Sequence, residues 1–266
     1  MPSSRSDAGG FDPARLVKRL NGLAETNMRS RVLLEWFEQM APEQIYAFLE
    51  WVAERVAVRN GQVMKVLEAV NRAVLESQEN PPLYESMADV YRIARSRENP
   101  SVISLLLNAA PQRGPVGPNE LRGDLQLSKL TLGERKFLAR GRDRARLERL
   151  LLDSSPDVIR NLLKNPALTE QDVVRLAARR PTRDSIQREI FLSRFGNRYA
   201  VRVALVCNPY TPTEISLKLL GFLLKSDLKL VRSQKGLHPL VIEQAKRLLK
   251  EKSFNSVGRS ETDSTS

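Results

Sequence analysis

The densest charged stretch of the chain is Glu134–Arg149, where Arg135, Lys136, Arg140, Arg142, Arg144, Arg146 and Arg149 place seven cations in sixteen residues. Arg179, Arg180 and Arg183 form a second group, and Arg194, Arg198 and Arg202 a third. Cations at this density can grip phosphates, each neutralised phosphate releasing counterions, or dock an acidic protein surface. The plainer alternative is a set of solvated helix faces. Glu134, Asp143 and Glu148 interleave the first group, and cations near helix C-termini are favourable in any case. If a binding face exists, its expected members are Arg140, Arg142, Arg144, Arg146, Arg179, Arg180, Arg183, Arg198 and Arg202. Aromatic rings that could stack on bases are few here. Phe191, Phe195, Tyr199 and Tyr210 fit turns or core equally well.

Other reactive groups are scarce. His238 is the only histidine and precedes Pro239 at an expected helix start, which makes it a turn or cap residue. Cys207 is the only cysteine and closes an apolar run, as a small buried hydrophobe would. One cysteine and one histidine exclude an internal disulfide and zinc sites built on either residue. No Gly-x-Gly-x-x-Gly, P-loop or EF-hand spacing occurs. No catalytic, cofactor-binding or metal-ligating residue is expected, and the chain reads as a non-enzyme.

The charge has a direction along the chain. The 266 residues carry 43 Lys and Arg against 31 Asp and Glu, a formal charge of +12. Residues 1–110 are nearly neutral at −1, residues 111–250 hold +14, and residues 251–266 return to −1. The basic excess thus belongs to the second half. No apolar run reaches the ~20 residues of a membrane span. The polar start MPSSRSDAGGFDP lacks the apolar core of a signal peptide. A cytoplasmic location is expected.

The elements that must position these residues all read as helices. Residues 1–10 and 253–266, rich in Ser, Thr and Gly, are expected to be disordered. Asp12-Pro13 opens a first helix with a capping side chain followed by a proline. Helical spacing then recurs at Val32, Leu33, Trp36, Phe37 and Met40, after Pro42, from Val63 to Leu75, from Leu83 to Ala94, and after Asn99-Pro100. Residues 11–110 therefore predict a bundle or array of six helices, with Trp36 and Trp51 in its core. Residues 111–123, with three Pro and three Gly in thirteen positions, read as a linker. Residues 124–252 then show helices of about ten residues, each with its own start signal. Examples are the capping box Thr131-Leu132-Gly133-Glu134, then Ser155-Pro156, Thr169, Thr182 or Asp184, Asn197, Thr211-Pro212, Ser226-Asp227 and Pro239. Isolated helices of that length are marginal in water and must be held by neighbours.

Self-comparison shows a recurrence. Residues 158–166 align with 201–209 at an offset of 43, with Asn165-Pro166 falling on Asn208-Pro209. A weaker copy follows at a further 29, where Glu214, Lys218 and Leu219 fall on Glu243, Arg247 and Leu248. The two spacings differ, so an extra helix is expected between the first two copies. Asn165-Pro166-Ala167-Leu168-Thr169 with Leu176-Ala177, and Asn208-Pro209-Tyr210-Thr211-Pro212 with Leu219-Leu220, resemble the leucine-rich repeat variant and HEAT-like helical repeats, and a group of bacterial proteins sharing this segment. The resemblance covers about residues 130–250. It implies an all-α chain: an N-terminal helical bundle followed by a basic helical-repeat array with a concave binding face. The function expected from this is a scaffold that docks another protein, an acidic one given the charge. The alternative is nucleic-acid binding through the same face. A more remote one is a HEAT-like DNA glycosylase, whose carboxylate beside aromatic rings cannot be mapped onto these residues.

Overall fold

The computed structural model describes residues 11–56, 61–107, 111–114, 117, 121 and 124–260, the last ten as backbone alone. The expected disordered segment 1–10, residues 261–266 of the expected tail and most of the expected linker lie outside the described residues. Fifteen α-helices and no strand occur among the described residues, so the chain is all-α. It divides into two units, residues 1–107 and 108–266.

Local chemistry sets the helix starts in the first unit. Asp12 accepts from Ala14 N–H at 2.9 Å to open α1 (Pro13–Asn21). Next come α2 (Thr26–Gln39), α3 (Pro42–Val56) and α4 (Gly61–Glu76). Asn80 and Asn99 each cap a helix whose first residue is proline, α5 (Pro81–Ser96) and α6 (Pro100–Leu106). Each such cap satisfies backbone N–H groups that would otherwise lack partners. Helix α4 buries Val63, Val66, Leu67, Val70 and Val74 and packs against α1, α2 and α3. Phe37 of α2 meets Phe48 of α3 edge-on, their centroids 6.1 Å apart. The buried Arg29 donates to the carbonyls of Leu20, Leu23 and Ala24 and so closes the turn between α1 and α2. The two tryptophans do not enter the core as expected. Both are half-buried, with Arg19 stacked over Trp36 at 5.0 Å and Arg55 over Trp51 at 3.9 Å. An indole with a cation on one face gains from the ring quadrupole without full burial.

The second unit holds nine short or medium helices among its described residues: α7 (Leu132–Leu138), α8 (Arg144–Leu150), α9 (Pro156–Lys164), α10 (Glu170–Ala178), α11 (Asp184–Leu192), α12 (Tyr199–Val206), α13 (Thr213–Leu220), α14 (Lys225–Ser233) and α15 (Pro239–Ser260). Packing alternates: α9 lies against α7 and α11, α10 against α12, and α13 against α15. A fully buried Leu, Ile or Val contributes roughly 1.5–3 kcal/mol. Helices of this length therefore stand on a few such residues each, for instance Val158, Ile159, Leu162 and Leu163 in α9.

The offset of 43 sets α9 on α12 and α10 on α13, with α11 between them. It has a bonding counterpart. Buried Asn165 donates to the carbonyls of Ala139 and Gly141 at 2.9 and 2.7 Å, and its side-chain oxygen accepts from Ala167 N–H. Asn208 donates to the carbonyls of Ala177 and Arg179 at 2.7 and 2.9 Å and accepts from Tyr210 N–H. Each asparagine thus closes its own turn and ties down the end of an earlier helix. The capping box at Thr131 forms, and a second forms between Thr169 and Asp172. The expected tail differs in one respect. Helical backbone continues past Ser253 to Ser260, and the sequence offers no proline to stop it.

Candidate anion-binding cleft

The cluster at 134–149 is not one basic surface. The chain leaves the helix at Ala139 and re-enters it at Arg144 under the Asp143 cap. Arg144 then turns to Asp172, 28 residues on, and forms a two-pronged bond of 2.6 and 2.6 Å. Asp172 is fully buried and also accepts from Thr169 and Arg175. The Arg144 fork, aided by Thr169, holds its carboxyl far below the usual range, against the opposing effect of burial, and raises the Arg144 guanidinium in turn. Arg135 donates from one nitrogen, Nη1, to both oxygens of buried Asp153, at 2.8 and 2.6 Å.

Most of the other expected arginines are also engaged within the chain. Arg140 donates to Asn161 at 3.0 Å. Arg146 pairs with Asp143 at 3.1 Å. Half-buried Arg179 donates to the carbonyls of Leu151 and Asp153, and burial lowers its pKa. Arg180 donates to the Cys207 carbonyl. Arg198 lies 3.8 Å from Glu170. Arg202 is only 7% exposed. It donates to the Gly196 carbonyl and stacks over Phe222 at 4.1 Å, so it cannot belong to a binding face. Only Arg142 and Arg183 have no partner among the described residues. The physical reason is geometric: an arginine reaches a carboxylate or helix end one or two elements away and satisfies it in planar, forked fashion. Arg160 forks onto Glu189, 29 residues on, and Arg188 reaches Glu214, 26 residues on, with a single bond.

The remaining reactive groups serve structure as well. His238 Nδ1 accepts from Leu240 N–H at the start of α15. Cys207 is half-buried, and burial pushes its thiol up. Among the described residues, no three His, Cys, Asp or Glu side chains gather in a metal-binding arrangement. No helix among them is long and apolar enough to cross a membrane.

A further group of cations meets between α14 and α15. A cleft of about 730 Å³ is lined by Lys229, Arg232, Lys246, Arg247 and Lys250, with Glu243 and Leu249. Lys229, Arg232, Lys246 and Lys250 are exposed. Among the described residues, Glu243, 3.7 Å from Lys246, is the one carboxylate on its wall. No lining side chain among the described residues is aromatic, so these offer charge and aliphatic lysine stems. A smaller cleft of about 410 Å³ lies between α9 and α11 over Leu163 and Leu192. Its Arg160 and Arg194 are already bonded to Glu189 and to the Asn165 carbonyl.

None of the five α14–α15 cations stood out in the sequence, because local density is lower there. Net charge would have found them. Residues 225–250 hold seven cations against Asp227 and Glu243, whereas residues 134–149 set seven against three carboxylates. No protein-family model matches the chain, and no curated protein or solved structure matches it either.

Proposed function

We propose that the chain is a non-enzymatic helical scaffold whose basic second unit docks an acidic protein. The observation that carries this reading is the α14–α15 cleft, where five cations face one carboxylate. A HEAT-like or leucine-rich-repeat-variant-like array is part of the same reading. It is supported by the packing of α9 on α7 and α11, of α10 on α12 and of α13 on α15, and by the matched bonds of Asn165 and Asn208. A cytoplasmic setting fits a single, unpaired cysteine. The described lining, cationic and aliphatic, favours carboxylates over bases as the partner groups, since single-stranded nucleic acid is usually held by stacking.

The test is fluorescence anisotropy of the full chain with labelled poly-glutamate and with a random DNA duplex, across about 50 to 300 mM salt. Poly-glutamate should bind and weaken with salt. The K229E/K246E/K250E variant should lose at least about tenfold in affinity. Tighter binding of the duplex would replace the acidic protein with nucleic acid, and no binding of either at low salt would reject the reading.

A further inference from the structure

The cleft walls carry their cations at helical intervals. Lys229 and Arg232 stand three residues apart on α14, and Lys246 and Lys250 four apart on α15. Residues three and four apart share one face of a helix. The two helices are joined by the short segment 234–238, so their facing ridges form a groove of the kind into which a third helix packs. From Glu243 to Lys250 the α15 wall is about 10 Å long at 1.5 Å per residue, two turns of a helix laid beside it. Within the chain, α10 finds α12 and α13 finds α15, whereas α14 packs chiefly on α15.

We infer that the α14–α15 cleft receives an acidic α-helix of the partner protein, with carboxylates one turn apart meeting Lys229, Lys246 and Lys250. This rests on the scaffold reading above. Glu243 adds a polarity. It faces the groove at one end of the α15 wall, so the partner helix carries a cation, or no charge, at that end and its carboxylates toward Lys250.

The experiment uses the full chain and two alanine-based peptides of about 20 residues with identical numbers of glutamates. In one, the glutamates form a stripe at i, i+3, i+4 and i+7. In the other, two central prolines forbid the helix. The inference expects the striped peptide to bind at least about tenfold more tightly than the proline peptide. It also expects binding to be lost in K229E/K246E/K250E and strengthened by E243Q. Equal affinity for both peptides, still lost in the triple variant, overturns the helical partner and leaves the scaffold reading standing. Binding of neither peptide overturns both. Striped-peptide binding that survives the triple variant places the docking surface elsewhere and overturns the assignment to this cleft.

Discussion

At the scale of single residues, the basic half spends most of its arginines on itself. Asp172 shows what this costs to undo. Asp172→Asn keeps the size of the side chain but removes the charge that Arg144, Arg175 and Thr169 share. A hydrogen bond to a charged group contributes about 1.5–3 kcal/mol, so urea unfolding near neutral pH should show a loss of about 2–3 kcal/mol. The Asp172 carboxyl sits below its ordinary 3.8 in the folded chain. Its contribution is therefore complete above that value and fades as pH falls towards the folded one. Wild type and variant should converge in acid. Lys218 gives a slope of the same sign in an alkaline window, although here it is the charged form that burial disfavours. It is buried in α13 near Glu214 and Arg188, and burial draws its ammonium down from 10.5 to about 8. Between these values the unfolded chain holds a proton that the folded chain has released, so stability rises with pH through that window. Lys218→Met should remove the rise, seen as the wild-type urea midpoint gaining on the variant's as pH rises from about 8 to 10.5.

At the scale of elements, several helix starts were legible because capping is local. Asp12, Asn99, Thr131 and Thr169 act within three residues of themselves. Ser155, by contrast, makes no side-chain cap. The N-caps of α12, α13 and α14 are Arg198, Pro212 and Leu224, none with a side-chain cap, instead of the expected Asn197, Thr211 and Ser226. The Asn-Pro recurrence was legible as a pattern, but its work was not. Asn165 reaches a carbonyl 26 residues back and Asn208 one 31 back, and no local signal encodes that reach. Asn165→Ala and Asn208→Ala should each cost about 2 kcal/mol, since buried carbonyls lose their donors. Urea unfolding of the single and double variants tests this, with near-additive losses expected for sites that share no partner. The break between α7 and α8 and the engagement of the arginines escaped sequence reading for the same reason. Charge density along the chain does not report which cations packing brings to a carboxylate. The α14–α15 cleft escaped it because its cations are split between two helices and gather only when the hairpin closes.

For the molecule as a whole, the division of charge between the units makes a separate claim. Residues 1–110 sum to −1, so anion binding should be indifferent to cations there. Arg15→Glu with Arg31→Glu, both exposed positions of the first unit, should leave poly-glutamate affinity within about twofold at physiological salt. A large loss in that variant would spread the binding surface beyond the second unit.

The four asparagines that cap or clasp helices here, Asn80, Asn99, Asn165 and Asn208, are each followed by proline. Asparagine ages by attack of the next residue's backbone nitrogen on the side-chain amide, and proline has no N–H with which to close that ring. The residues on which the helix junctions depend are thereby shielded from conversion to aspartate or isoaspartate. Peptide mapping after prolonged warm storage should find deamidation first at Asn21 and Asn60, which precede Gly22 and Gly61, with those four amides intact. The same dipeptides that punctuate the fold would then also set its shelf life.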